Sequence, residues 1–141
     1  SRANKAGGKS SAKVSTGLSA GANAYVGQTM ANGSKGCAEA AGKIGSYYSP
    51  FLKSESQRHV YSVRVLVSDA RSKGIQVLPF NAGSLEAGDS IVYGNNSHVV
   101  IYDGHGGYYG NSTSKNRVVH GSDYRKMSGL SPSAIIKTSK G

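Results

Sequence analysis

The spacing of apolar residues changes character about half-way along the chain. Over Leu18–Met30 the apolar positions Leu18, Ala22, Tyr25, Val26 and Met30 recur at roughly helical intervals, with Ser19 as a candidate N-cap. Gly21 and Gly27 weaken that helix. Residues 31–36, Ala-Asn-Gly-Ser-Lys-Gly, read as a turn-rich loop. Residues 37–44 then read as a helix with Cys37 in its first turn and Gly45 as its terminator. Tyr47, Tyr48, Pro50 and Phe51 read as an apolar connection broken by proline. Residues 55–73 satisfy two patterns. Val60, Val63, Leu66, Val67 and Ala70 fit a helical stripe, while Val63, Val65 and Val67 alternate as in a strand. Helix is favoured, because Gly74 follows Lys73 in the manner of a C-terminal cap.

Beyond residue 74 the pattern becomes that of short strands between turns. Residues 75–79 are extended, 85–89 (Leu-Glu-Ala-Gly-Asp) form a turn, and 90–93 form a strand. A tight turn at 94–97 leads into 98–103, His-Val-Val-Ile-Tyr-Asp, the clearest strand of the chain. The Gly-rich turn 104–107 sends the chain back as 108–112, with further strands at 117–120 and 134–137. Asp123–Met127 reads as a helical turn between those two. Helices first and a strand meander second give an α+β fold: an antiparallel sheet with the early helices on one face. No internal repeat is evident.

Composition bounds what this fold can be. A length of 141 residues suits one domain with a sizeable core. Residues 1–17 are mostly Gly, Ser, Lys and Ala and read as a flexible basic lead, leaving 18–141 as the folded unit. No apolar run approaches the ~20 residues of a membrane span. The basic start lacks a following apolar stretch, so it does not read as a secretion signal. It also lacks Met, and an excised piece of a larger protein is expected. A single cysteine excludes an intrachain disulfide and a multi-cysteine zinc site. Seventeen Lys and Arg against seven Asp and Glu give +10, which points to an anionic partner. Acidic cell-wall polymer, nucleic acid and lipid head groups qualify on charge alone. No helix-turn-helix, zinc-finger or RNP pattern accompanies it, so nucleic acid is the less favoured.

The candidate chemistry centres on Cys37. A thiol nucleophile needs thiolate character, a base, and a group that orients the base. The start of a helix supplies positive potential and amide donors for an oxyanion. A buried small hydrophobe is the competing reading for a lone cysteine. His98 opens the strongest strand and is placed to act as the base. If 98–103 and 107–112 pair across the Gly turn, residues near 98 face those near 111–112, and Asn111 can orient the imidazole. His59 and His120 read as surface and structural histidines. His105, in the Gly turn, is a candidate for substrate contact at the rim. No metal-ligand spacing is present, and no G-x-S-x-G or P-loop pattern occurs.

Taken in order, "NGSKGC" ending at Cys37, "LEAGDSIVY" at 85–93, "SHVVIYDG" at 97–104 and "GGYYGNS" at 106–112 resemble the NlpC-type cell-wall cysteine peptidases. These are a papain-like group related to the CHAP amidases. The resemblance spans about residues 22–120. It implies a papain-like fold and a cofactor-free peptidase or amidase acting on peptidoglycan stem peptides. It further implies Cys37 as nucleophile, His98 as base and Asn111 as the third residue. Relatives often carry a second His where this chain has Gly110. They usually carry Asp-Cys-Ser-Gly around the nucleophile, where this chain has Gly36-Cys37-Ala38-Glu39. The Tyr that helps line their oxyanion site is replaced in this chain by Gln28-Thr29-Met30. Asn32 or Gln28 is then the candidate for that role. The wording around Cys37 is also similar to versions in phage tail tape-measure proteins. That similarity implies an envelope or virion location and a larger parent protein. An acyltransferase or protein-modifying effector on the same fold, and a non-catalytic wall-binding module, are the alternatives.

Overall fold

The computed structural model describes the backbone of residues 2–141 and the side chains of residues 12–141. Helix α1 (Arg2–Tyr25) places Val14, Leu18 and Ala22, four residues apart, on one buried face. Most side chains of the lead expected at 1–17 lie outside the described residues. From Ala12 to Gly17 the chain is helical and Val14 is buried, so this part belongs to α1 and is not a flexible lead. Ser19 accordingly lies inside the helix rather than at its start.

Gly21 does not break α1, because contact with the next helix requires it. A Cβ on Gly21 would stand 2.4 Å from the Ile44 carbonyl oxygen, and one on Gly17 would stand 2.5 Å from that of Tyr47. Missing side chains let α1 lie directly against the end of α2 (Cys37–Gly45). Gly21→Ala is therefore expected to destabilise the fold by about 1–3 kcal/mol, despite alanine's better helix propensity. Urea denaturation checks it. The helix expected to reach Met30 stops at Tyr25. Gly27 takes a positive φ of 91°, and residues 27–28 exchange backbone hydrogen bonds with Val118.

The proline-broken connection proves to be helix α3 (Pro50–Gln57). Ser49 caps it by accepting from the Leu52 amide, and Pro50 occupies the first turn, where its missing N–H costs nothing. Helix α4 (Val63–Ser72) starts at the Ser62 cap and buries Val63, Leu66, Val67 and Ala70. The ambiguous stretch 55–73 is thus helical in two pieces, with His59 at a positive φ of 57° in the break.

Between α3 and α4 lies a carboxyl pair. Glu55 is 1% exposed, its Oε1 takes no hydrogen bond, and neither does the buried Oδ2 of Asp69. Burial first, and then the neighbouring Asp69 carboxyl, raise the Glu55 carboxyl to about 7. They outweigh Arg58 and Lys73, whose nitrogens are 3.1 and 3.6 Å from Glu55 Oε2. The folded state therefore holds this proton more tightly than the unfolded chain does. Its stabilisation is full below the ordinary carboxyl range and is lost as pH rises towards about 7. Melting temperature is expected to fall from pH 5 to pH 8. Glu55→Gln, which stays neutral, should flatten that part of the profile.

Six strands complete the fold: β1 (Val77–Pro79), β2 (Ser90–Tyr93), β3 (His98–Tyr102), β4 (Tyr108–Ser112), β5 (Arg117–Gly121) and β6 (Pro132–Ile136). They form one antiparallel sheet in the order β1-β6-β2-β3-β4-β5. With four helices on one face, the α+β arrangement is as expected. Val92, Val99, Ile101, Val118 and Ile136 share the helix-side core. Ile91, Tyr93 and Val100 face the other way and are covered by Tyr124, Met127 and Leu130. Residues 123–127 form a plain turn there instead of the expected helical one, with Met127 bridged to Leu130. Among the described residues no helix is long and apolar enough to cross a membrane.

The Gly88-Asp89 turn holds the end of β6. Asp89 is fully buried; its Oδ2 accepts from Lys137 Nζ at 2.6 Å and its Oδ1 from Ser139 Oγ at 2.6 Å. Thr138 Oγ1 and the Tyr48 hydroxyl both donate to the Gly88 carbonyl.

Candidate active site

Cys37 is the first residue of α2, and Gly36 before it is buried. A Cβ on Gly36 would come within 2.6 Å of Met30 Cβ, so the loop can enter the helix this tightly only with glycine. The half-buried thiol packs against the helix-side face of the sheet. Burial raises its pKa, and the amides of Val99, Ala38 and Cys37 itself, directed at the sulfur, offset part of that rise. The cysteine is thus a protonated thiol at neutral pH that meets a cluster of N–H groups. Val99 follows His98 directly, so the thiol lies beside the start of β3.

β3 and β4 pair with Ile101 opposite Tyr109 and Tyr102 opposite Tyr108. Continued, this register sets Val99 opposite Asn111 and His98 opposite Ser112, in agreement with the pairing inferred across the Gly turn. The ladder ends at Ile101, and a pocket of about 370 Å³ sits beyond it. His98, Asn111, Ser112, Thr113, Lys126 and Met127 are among its walls.

His98 is half-buried, and burial lowers its pKa, so its imidazole is neutral at pH 7. Its ring rests against Tyr93 with centroids 5.9 Å apart. Among the described residues no hydrogen bond joins it to Cys37 or Asn111. Asn111 is 2% exposed and faces the helix side, where its Nδ2 donates to the Gly33 carbonyl at 2.9 Å. That bond fixes which way the amide points and leaves Oδ1 buried without a partner. A Cβ on Gly110 would lie 2.6 Å from Val100 Cγ1, so this position takes a side chain only if Val100 shifts. The structure therefore brings Cys37, the start of β3 and Asn111 into one neighbourhood, with His98 turned to the opposite face of its strand.

The weaker candidates fall elsewhere. Asn32 is exposed, and its amide nitrogen donates to Glu39 Oε1 at 3.0 Å. Gln28 is exposed, and its carbonyl accepts from the Val118 amide. His105 sits in the turn at the far end of β3, roughly 17 Å along the strand from His98. His120, read as structural, pairs with Asp103 at 2.8 Å and stacks on Tyr109 at 4.3 Å.

Sequence reasoning missed Glu39. It is 2% exposed, and its carboxylate accepts from the amides of Ala31 and Asn32 at 3.2 and 3.0 Å. It ties the 31–36 loop to the helix that bears Cys37. The legible signal was an acid at the third helical position after a loop full of unpaired amides. The same loop is joined to the β4–β5 turn, where Thr29 Oγ1 donates to the Asn116 carbonyl and Thr113 Oγ1 to that of Ser34. Among the described residues no group of three or more His, Cys, Asp or Glu could hold a metal ion. No family model matches the chain, and no curated protein matches it either.

Proposed function

We propose that this protein is a cysteine peptidase or amidase of the NlpC type, on a papain-like fold, that cleaves an amide bond in peptidoglycan stem peptides. The observation that carries the reading is the buried, unpartnered Oδ1 of Asn111. Asn111 and His98 both line one pocket. In the catalytic arrangement the imidazole leaves Tyr93, with one ring nitrogen at Cys37 and the other N–H at that oxygen; His98 opens β3 and is unpaired on the β4 side, where the ladder reaches only Ile101, so the start of the strand turns with its side chain. Catalytic hydrogen bonds are often open without substrate.

The steps follow from the protonation states. His98, neutral, takes the thiol proton as Sγ attacks the amide carbonyl carbon. Amides of the first turn of α2 stabilise the oxyanion. The imidazolium, held by Asn111, gives its proton to the leaving amine as the C–N bond breaks. Water, deprotonated by His98, then attacks the thioester and releases the carboxylic acid and the thiol. The chain's own residues suffice for each proton transfer.

Digestion of purified peptidoglycan, read by mass spectrometry of the soluble fragments, tests the reading. New amide-cleaved fragments are expected, and none from several wall chemotypes would overturn it. Because burial lowers the His98 pKa, the acid limb of the rate profile should have its midpoint below the usual 6.5 of histidine. A pH series of initial rates measures it. We further propose that the domain works at the cell envelope or in a phage tail, as part of a larger protein.

A further inference from the structure

The excess positive charge is not spread evenly in its effects. All seven Asp and Glu residues lie among the described residues, and each stands within ion-pair distance of a Lys, Arg or His. The cations left over are therefore the ones free to meet an external anion. Four of them stand on or next to the elements that wall the candidate site. Lys126 lines the pocket with His98 and Asn111. Arg117 is the cross-strand partner of Ser112, another wall residue, so the two side chains share a face. Lys115 follows the wall residue Ser114, and Lys35 follows Ser34, whose carbonyl accepts from the wall residue Thr113. All four are exposed, and none forms an ion pair with a described carboxylate. The carboxylate near Lys126, that of Asp123, is held by Arg125 Nε at 3.0 Å and Nη2 at 3.3 Å.

The pocket walls fit the same picture. Ser112, Thr113, Ser114 and Ser128 present hydroxyls, and no acidic residue lines the pocket. Its one aromatic wall, Tyr108, is half-buried. Successive stacking faces, which single-stranded nucleic acid needs, are missing from this wall. We infer that Lys35, Lys115, Arg117 and Lys126 form a cationic rim that selects a substrate peptide bearing free carboxylates beside the amide to be cut. This rests on the proposed peptidase reading, and it adds the feature by which substrate is chosen.

The test is binding, which needs no turnover. Cys37→Ala protein is titrated with the peptide Ala–γ-Glu–Lys–Ala, once with free carboxylates and once with both amidated. The free acid should bind about tenfold more tightly at low salt, and the difference should shrink at high salt as the charges are screened. Arg117→Gln/Lys126→Gln should remove the preference. Arg64→Gln/Arg71→Gln, on the exposed side of α4, should keep it. If the Cys37 variant does not fold, the native protein and N-methylated peptides replace the pair. Equal binding of acid and amide, an equal loss from the α4 variant, or tighter binding of oligothymidylate through Arg117 and Lys126 would each overturn the inference. Cleavage by native protein is scored separately. Cleavage without acid preference overturns only the rim, and preference without cleavage overturns only the peptidase reading.

Discussion

Replacing Cys37 by alanine is expected to lower amide cleavage by at least about 10⁴-fold, with substrate affinity little changed. In the proposed reaction the sulfur forms the covalent intermediate, and among the described residues no other thiol or hydroxyl stands at the start of α2. The substitution removes one atom from a half-buried site, so the fold should persist. Circular dichroism and an unchanged melting temperature would establish that. Asn111→Ala should act more weakly, on the order of 10²-fold, because it removes the orienting acceptor and leaves the nucleophile and base in place. It also frees the Gly33 carbonyl, so some loss will come from loosening of the 31–36 loop. Asn111→Asp separates the two effects: it restores an acceptor for the imidazole and abolishes the donor to Gly33. Comparable activity in native and Cys37→Ala protein would end the peptidase reading. No cleavage by either, with a thiol that is still acylated by an activated ester, would favour the transferase reading on the same fold.

The second large effect is one of stability. Lys137→Met is expected to destabilise the protein by roughly 3–5 kcal/mol, a substantial part of a typical total of 5–15 kcal/mol. Among the described residues Lys137 Nζ is the only cation on the fully buried Asp89, and it also donates to Glu86 Oε1 at 2.9 Å and to the Ser84 carbonyl at 2.7 Å. Without it a carboxylate stays in the interior, held only by the Ser139 hydroxyl and the amides of Ser139 and Glu86. The double substitution Asp89→Asn/Lys137→Met removes both charges and should recover part of the loss. Thermal melts of the two variants decide it. A double variant as unstable as the single one would mean that the methylene packing of Lys137, and not its charge, does the stabilising.

The sheet was legible in the sequence because its strands are short, β-branched and bounded by Gly and Asn turns. Each of β2, β3 and β4 falls where alternation and turn residues put it. The hairpin register followed from the Gly-rich turn, and with it the approach of residue 111 to the start of β3. The helices were harder. Pro50 looked like a break because a proline interrupts a helix everywhere except in the first turn, which is where it stands. Gly21 argued against α1, and only the tertiary contact with the Ile44 carbonyl explains it. The direction of His98 was missed although alternation fixes it: Val99 points to the helix side, so His98 points to the Tyr93 face, away from the thiol. Glu39 was passed over because a carboxylate beside a nucleophile draws attention as chemistry, whereas its partners are backbone amides.

The insertion of β6 between β1 and β2 has a kinetic consequence. The hairpins β2–β3 and β3–β4 pair near neighbours in the chain and can form within microseconds. The β2–β6 ladder joins Ile91 to Ile135, and the Cys37 helix meets a strand some sixty residues later. These distant encounters set the height of the folding barrier. Cys37 and His98 are consequently apart in any half-folded chain, and the site they share is assembled only with the last cooperative step. A chain that is still being made, or is threaded in an unfolded form through a narrow passage, does not carry that site until it closes.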